Sequence, residues 1–313
     1  MTTPLIILLL IPILLPFAVP TLARRCLDRL APVTALWALT LTVLVLAGAS
    51  VAALGALLLT GLLKLPVLAG LGELVHPLRT PSNLVVVPLA TAATGLLTVG
   101  AATLVRSALR QLRAFRVART QADRRPAAGD LCVIESPHPD AYALPGRPHR
   151  IVVTTAMLRS LGPDEREALF AHERAHNAGG HHRFLVAAEI AAHCHPGLRP
   201  VRASIALAAE RAADEAAATA VGDRRLTARA IARAALAITS ARSTRPDFAA
   251  AATTGPVPQR VAALLAAPGH RPRAASWIAL LLVACATVSA SAAATGVLTF
   301  HREVEIAQGE ETR

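Results

Sequence analysis

Four long stretches of the chain carry no charged residue, and they set its architecture. The first runs from Leu5 to Ala23 and is closed by Arg24 and Arg25. The second extends from Ala31 to Leu63, the third from Asn83 to Val105 and the fourth from Ala274 to Phe300. A helix crosses a hydrocarbon core of about 30 Å with roughly 20 residues, so each run predicts one crossing. The expected spans are 5–23, 33–60, 83–105 and 274–300. The second run is longer than one crossing needs and too short for two, which predicts a single tilted or over-long helix. Between the third and fourth runs the pattern changes to alternating and helix-periodic segments with normal polarity, as in a soluble domain.

Composition agrees with that division. Hydrophobic residues make up 54% of the chain but aromatics only 3%, so the apolar mass is Leu, Val and Ala, which suits lipid-facing helices. No basic residue precedes the first run; its charges follow it. That predicts an uncleaved anchor with its N-terminus outside, rather than a cleavable leader. Arg24, Arg25 and Arg29 then place the first loop in the cytoplasm, while the next loop, with only Lys64 and Arg79 as cations, lies outside. After the third run, Arg106, Arg110, Arg113, Arg116, Arg119, Arg124 and Arg125 give the strongest orientation signal. Residues 106–273 are therefore expected to face the cytoplasm, leaving 301–313 as a short extracytoplasmic tail of a multi-pass cell-membrane protein.

Much of the net charge of +12 sits in the basic juxtamembrane segment 106–130. There Leu109, Leu112 and Phe115 form an apolar stripe, which predicts a helix lying on the anionic inner leaflet. No recognition motif accompanies the charge, so no direct nucleic-acid partner is expected. The cysteines Cys26, Cys132, Cys194 and Cys285 show neither paired nor metal-ligand spacing, and disulfides are not expected.

The region 131–273 opens with two strand candidates, "LCVIES" (131–136) and "RIVVTTAML" (150–158), joined by a Pro-rich loop containing "DAYALPG". "GPDEREALFAHERAHNAGG" reads as a helix: Pro163 suits its first turn, Asp164 and Glu165 complement its dipole, and Gly179–Gly180 stop it. Further helices are expected near 184–192, 201–220, 226–241 and 257–266.

The first of these helices carries the chemistry. His172 and His176 are four apart, so both imidazoles leave one face and can reach one zinc ion, with Glu173 beside it as a general base. Two residues compete for the third ligand. His172-Glu-Arg-Ala-His176-Asn-Ala-Gly179-Gly-His-His182 satisfies the long pattern H-E-x-x-H-x-x-G-x-x-H, which favours His182, but the downstream methionine of that signature is absent. The rival is "ERAADEAA", whose E-x-x-x-D spacing sets Glu210 and Asp214 one turn apart on one face. Glu210 could then bind the metal while Asp214 fixes a ligand histidine's tautomer. His181, His193 and His195 are further donors near the motif. Tyr142, the one tyrosine, is a candidate donor to a developing oxyanion, set against a packing role.

The order of strand, "PDAYALPG" loop, "IVVTTAML", acidic helix entry, "HERAH" and "ERAADEAA" resembles the BlaR/MecR-type integral-membrane zinc metallopeptidases, and the related HtpX-type and CAAX-prenyl membrane proteases. The resemblance covers roughly residues 1–300 and is sharpest over 131–217. It implies a membrane protein, mainly α, with about four transmembrane helices and a cytoplasmic α+β gluzincin-like zinc peptidase domain containing a small sheet. It further implies one Zn2+ per chain on His172, His176 and Glu210, with Glu173 as base and Asp214 supporting the site. The implied activity is endoproteolysis of a cytoplasmic or membrane-adjacent protein in regulatory signalling, the partner being a penicillinase-repressor-type transcriptional regulator or the enzyme itself. Membrane quality-control proteolysis of the HtpX type is the alternative, and a non-cleaving membrane signalling or scaffold protein a third reading. Two departures stand out. The penicillin-binding sensor domain that follows the last span in sensor transducers is not expected, since only "HREVEIAQGEETR" follows that span. And "HCHPGLRP" replaces a more aromatic stretch.

Overall fold

The computed structural model describes residues 3–63, 83–239, 256–266 and 275–307. The chain is mainly helical with one small mixed sheet. The loop holding Lys64 and Arg79, and most of the two loops expected around 239–256 and 268–274, lie outside the described residues.

The apolar runs form helices for the reason that sets their composition: away from water, every backbone amide has to be satisfied within its own segment. Helix α1 (Thr3–Leu14), a 3-10 turn (Leu15–Ala18) and α2 (Val19–Arg29) make up the first. Pro16 has no N–H for the Pro12 carbonyl one turn earlier, and that oxygen would be orphaned in an apolar core. Ser50 of α3 (Pro32–Leu62) donates its hydroxyl to it at 2.6 Å. Helix α4 (Asn83–Asp123) and the last helix, named α11 below (Ala275–Ala307), complete the set. Four helical stretches, Ile7–Arg29, Pro32–Leu62, Leu84–Asp123 and Trp277–Ile306, are long and apolar enough to cross a membrane.

Helix α4 departs from the sequence expectation. Its 41 residues are about 60 Å long, twice a hydrocarbon core, so the basic segment continues the third apolar run within one helix. Its far end is a strut for the sheet. Phe115, Ala118 and Ala122 pack with Cys132, Tyr142, Leu144 and Val152, while Leu109 and Leu112 stay exposed. Arg119 donates to the carbonyls of Pro148 and Arg147 and ties the strut to the loop before the last strand.

The sheet has the order β1-β2-β4-β3, from β1 (Ala127–Ala128), β2 (Leu131–Ile134), β3 (Ala141–Leu144) and β4 (Arg150–Thr154). β2 and β4 run parallel with Cys132 opposite Val152; β3 is antiparallel to β4 with Tyr142 opposite Val152. Side chains alternate across the sheet. Tyr142, Leu144 and Val152 face α4, whereas Ala141 and Val153 face Leu169 of α6 (Pro163–Ala178). Two expectations change here. "AYAL" is a strand, not a loop. And the second strand stops at Thr154, whose hydroxyl accepts the Met157 N–H and starts α5 (Thr155–Ser160) instead.

Helix α6 begins where Glu165 turns back to accept the Gly162 N–H at 2.9 Å. The same carboxylate takes Arg229 and Arg233 from α9 (Arg224–Thr239), at 3.0 and 2.8 Å. Burial disfavours its ionisation, but the Gly162 amide and the two guanidinium groups outweigh it and hold its pKa below the usual 4.5. A depressed carboxylate stabilises above its ordinary pKa and stops doing so as pH falls through the folded one. Glu165→Ala is expected to cost about 1–2 kcal/mol at neutral pH. The cost should shrink once the pH is well below 4.5. Thermal unfolding of detergent-solubilised wild type and variant at both pH values checks this; equal penalties at both would refute the linkage.

After α6 come α7 (His181–Cys194), a short 3-10 turn (Pro196–Leu198), α8 (Val201–Val221), α9 and α10 (Val257–Leu265). α7 and α8 share one core with the apolar helices. Leu36, Leu39 and Leu46 of α3 and Ile278 and Leu282 of α11 pack with Phe184, Ala188, Ile205 and Ala208. Trp37 meets Phe184 edge-on, ring centroids 4.8 Å apart. The Ala-rich face of α8 permits this close approach, and Arg211 donates to the Leu27 carbonyl at the end of α2 at 2.6 Å. The helix that carries Glu210 is therefore anchored to the apolar bundle.

Candidate metal centre

α6 projects His172 and His176 from one face towards α8, and α8 returns Glu210 and Asp214 towards α6. All five acidic and imidazole groups at this junction are buried: His172, Glu173, His176, Glu210 and Asp214 are each at most 3% exposed. The Nε2 atoms of His172 and His176 are 3.1 Å apart. Glu210 Oε2 is 3.5 Å from His172 Nε2, and Glu210 Oε1 is 3.5 Å from His176 Nε2. One donor atom from each of His172, His176 and Glu210 lies within 4.8 Å of the others. Two imidazole nitrogens at about 2.0–2.1 Å from a tetrahedral zinc ion stand about 3.3 Å apart, so these spacings fit such an ion within a few tenths of an ångström.

Charge gives a second test of fit. Glu173, Glu210 and Asp214 bring three buried carboxylates, opposed by one buried guanidinium, that of Arg260. The balance of two negative charges is that of one divalent cation, and buried charge is tolerated only when compensated. His172 lies between two of these carboxylates, Nδ1 beside Asp214 and Nε2 beside Glu210. Burial works against its protonation, but the Asp214 and Glu210 carboxylates beside it outweigh burial and raise its pKa to about 9. A metal bound through Nε2 would compete with a proton there.

The partners of the donor atoms show how they are held. His172 Nδ1 is 3.0 Å from Asp214 Oδ1, which directs its Nε2 towards Glu210 and His176. Asp214 is gripped by Arg260, whose Nη2 meets Oδ1 at 2.6 Å and whose Nε meets Oδ2 at 2.8 Å. Arg260 Nη1 also reaches Glu210 Oε2 at 2.8 Å. Desolvation opposes the Asp214 charge, yet Arg260 and His172 hold its pKa below the usual carboxylate value. Arg260 itself is raised, since Glu210, Asp214 and Glu173 outweigh its burial.

Sequence reasoning missed Arg260. The one available signal was its place in α10, between Val257, Val261 and Leu264, where Arg260 and Leu264 share a face. Of the other candidates, His181 lies against His176, 2.8 Å between their Nδ1 atoms, and the rest lie elsewhere. His182 is half-buried beside Arg183 and His149 and does not belong to the converging group. His193 bonds Thr103 and Glu189, each at 3.0 Å; Glu189 also takes Ser107 and Arg202, so this cluster joins α7 to α4. His195 accepts the Gly197 N–H and lies edge-on to Phe17 of the first apolar stretch. Tyr142 packs on the α4 face of the sheet, opposite the face that α6 covers.

Residues 108–195 match peptidase family M48. The matched stretch runs from the middle of α4 to just past the end of α7 and includes His172, Glu173 and His176 but neither Glu210 nor Arg260. Family M48 comprises metallopeptidases, hydrolases that work through a bound metal ion, and four apolar helices accompany the match here. The match is consistent with the HtpX/BlaR metallopeptidase group and does not single out the BlaR/MecR type. No curated protein and no solved structure matches the chain.

Proposed function

We propose that the chain is a membrane-embedded zinc endopeptidase that cleaves a cytoplasmic or membrane-adjacent protein. The observation that carries this reading is the convergence of His172, His176 and Glu210, from two helices, around a point with Glu173 buried beside it. On this reading the first three apolar helices precede the peptidase domain, about 131–273, and the fourth follows it.

A zinc ion held by those three residues would supply Lewis acidity, polarising a peptide carbonyl and lowering the pKa of water in contact with it. The chain's own residues do the rest. Asp214 Oδ1, 3.0 Å from His172 Nδ1, would draw the ring proton to Nδ1 and leave the Nε2 lone pair directed inwards. Arg260 fixes both Asp214 and one oxygen of Glu210, leaving the other oxygen facing His176. Glu173 takes a proton from the attacking water and delivers it to the leaving amine.

Regulatory cleavage of a penicillinase-repressor-type regulator is the signalling form of this reading. The family M48 match equally supports an HtpX-type quality-control protease, which would cut unfolded membrane proteins broadly rather than one protein at one site. Purified full-length protein is expected to contain one zinc per chain and to degrade an unstructured protein such as casein. Chelation should stop the cleavage and added zinc should restore it, while Glu210→Ala loses the metal and His182→Ala keeps it. Elemental analysis showing stoichiometric zinc in Glu210→Ala but not in His182→Ala would reverse the ligand assignment.

A further inference from the structure

A metal-binding imidazole is oriented by what its second nitrogen touches. For His172 that partner is Asp214. For His176 it is another imidazole: His176 Nδ1 lies 2.8 Å from His181 Nδ1, and the two rings meet edge-on with centroids 4.8 Å apart. The opposite nitrogen, Nε2, faces Glu210 and His172. With Nε2 given to a metal, the ring proton of His176 resides on Nδ1 and points at His181.

We propose that His181 is a positioning residue for the metal centre. Its Nδ1 accepts the Nδ1–H of His176, fixing that ring's tautomer and aiming its Nε2 at the metal. The inference rests on the metal-centre reading above. It makes the two proposed ligand histidines unequal: His172 is backed by a carboxylate and His176 by another imidazole.

The turn between α6 and α7 is shaped around this contact. Gly180 adopts φ 59°, which reverses the chain and sets His181 at the start of α7, folded back over the end of α6. Gly179 has φ −75°, a conformation open to any residue, so its backbone does not require glycine. The His181 ring does. A Cβ at 179 would fall 2.5 Å from His181 Nε2 and 2.8 Å from its Cδ2, and the ring would have to move. His181 is 6% exposed, a buried side chain held against His176 from both sides of the turn.

The test is zinc affinity of the full chain in detergent, measured by competition with a chromophoric chelator, together with the visible spectrum of the Co2+-substituted protein. Three variants are needed. His181→Leu fills the space without an acceptor, His181→Asn offers its Oδ1 near the lost Nδ1, and Gly179→Ala displaces the ring without altering it. His181→Leu and Gly179→Ala are expected to weaken zinc binding about 10–100-fold and to shift the Co2+ bands. His181→Asn should recover most of the affinity and the wild-type spectrum. Wild-type affinity and spectrum in His181→Leu would overturn the proposal. So would equal losses in the Leu and Asn variants, which would mean that the ring only packs. Wild type that binds no zinc would instead bring down the metal-centre reading on which the proposal stands.

Discussion

Glu173→Gln is expected to retain the wild-type zinc content and lose about 10²–10⁴-fold in cleavage rate. The substitution keeps shape and hydrogen-bonding capacity but removes the basic oxygen. Glu173 is fully buried on the helix that bears both histidines, yet no atom of it belongs to the converging ligand group. Metal binding and proton transfer therefore reside on different side chains and should separate in one variant. Zinc analysis and casein cleavage on the same preparation read both quantities. Unchanged cleavage would exclude Glu173 as the base. Equal cellular output from wild type and variant would favour the non-cleaving scaffold reading.

Arg260→Ala is expected to cost about 3–5 kcal/mol of stability, because it leaves buried carboxylates without their cation. Arg260 is fully buried, and it makes three contacts of 2.6–2.8 Å with Asp214 and Glu210. Arg260→Lys should recover only part of the loss, since an ammonium cannot span two carboxylates as a planar fork does. Thermal unfolding of the metal-free variants in detergent measures this directly. Zinc should narrow the deficit, as a bound dication restores part of the missing positive charge. A melting temperature within a degree or two of wild type for Arg260→Ala would show the cation to be dispensable.

The apolar helices and the pairing of His172 with His176 were legible because both rest on short-range patterns. A charge-free run long enough for a bilayer has few alternatives, and an i, i+4 pair on a helix shares a face whatever surrounds it. β3 was hidden because "AYAL" is only four residues long and bounded by prolines; its pairing with β4 makes it a strand. The basic segment was read correctly as helical but assigned to the leaflet surface, because Leu109, Leu112 and Phe115 look like a membrane-facing stripe. In the fold Phe115 faces the sheet instead.

By itself the sequence determined the apolar helices, the helical face carrying His172, Glu173 and His176, and two possible third ligands. Which distant donors come near the histidines depended on the tertiary structure. Helix α8 turns back against α6 because its Ala-rich face packs on the apolar bundle, and that packing brings Glu210 and Asp214 to the histidines while His182 stays aside. Arg260 arrives from α10, far along the chain, and His181 arrives through a two-glycine turn. A lone arginine in an amphipathic helix reads as solvent-facing, since burying an unpaired charge is costly. Only the carboxylates waiting in the folded protein make its burial favourable, and no local pattern records them.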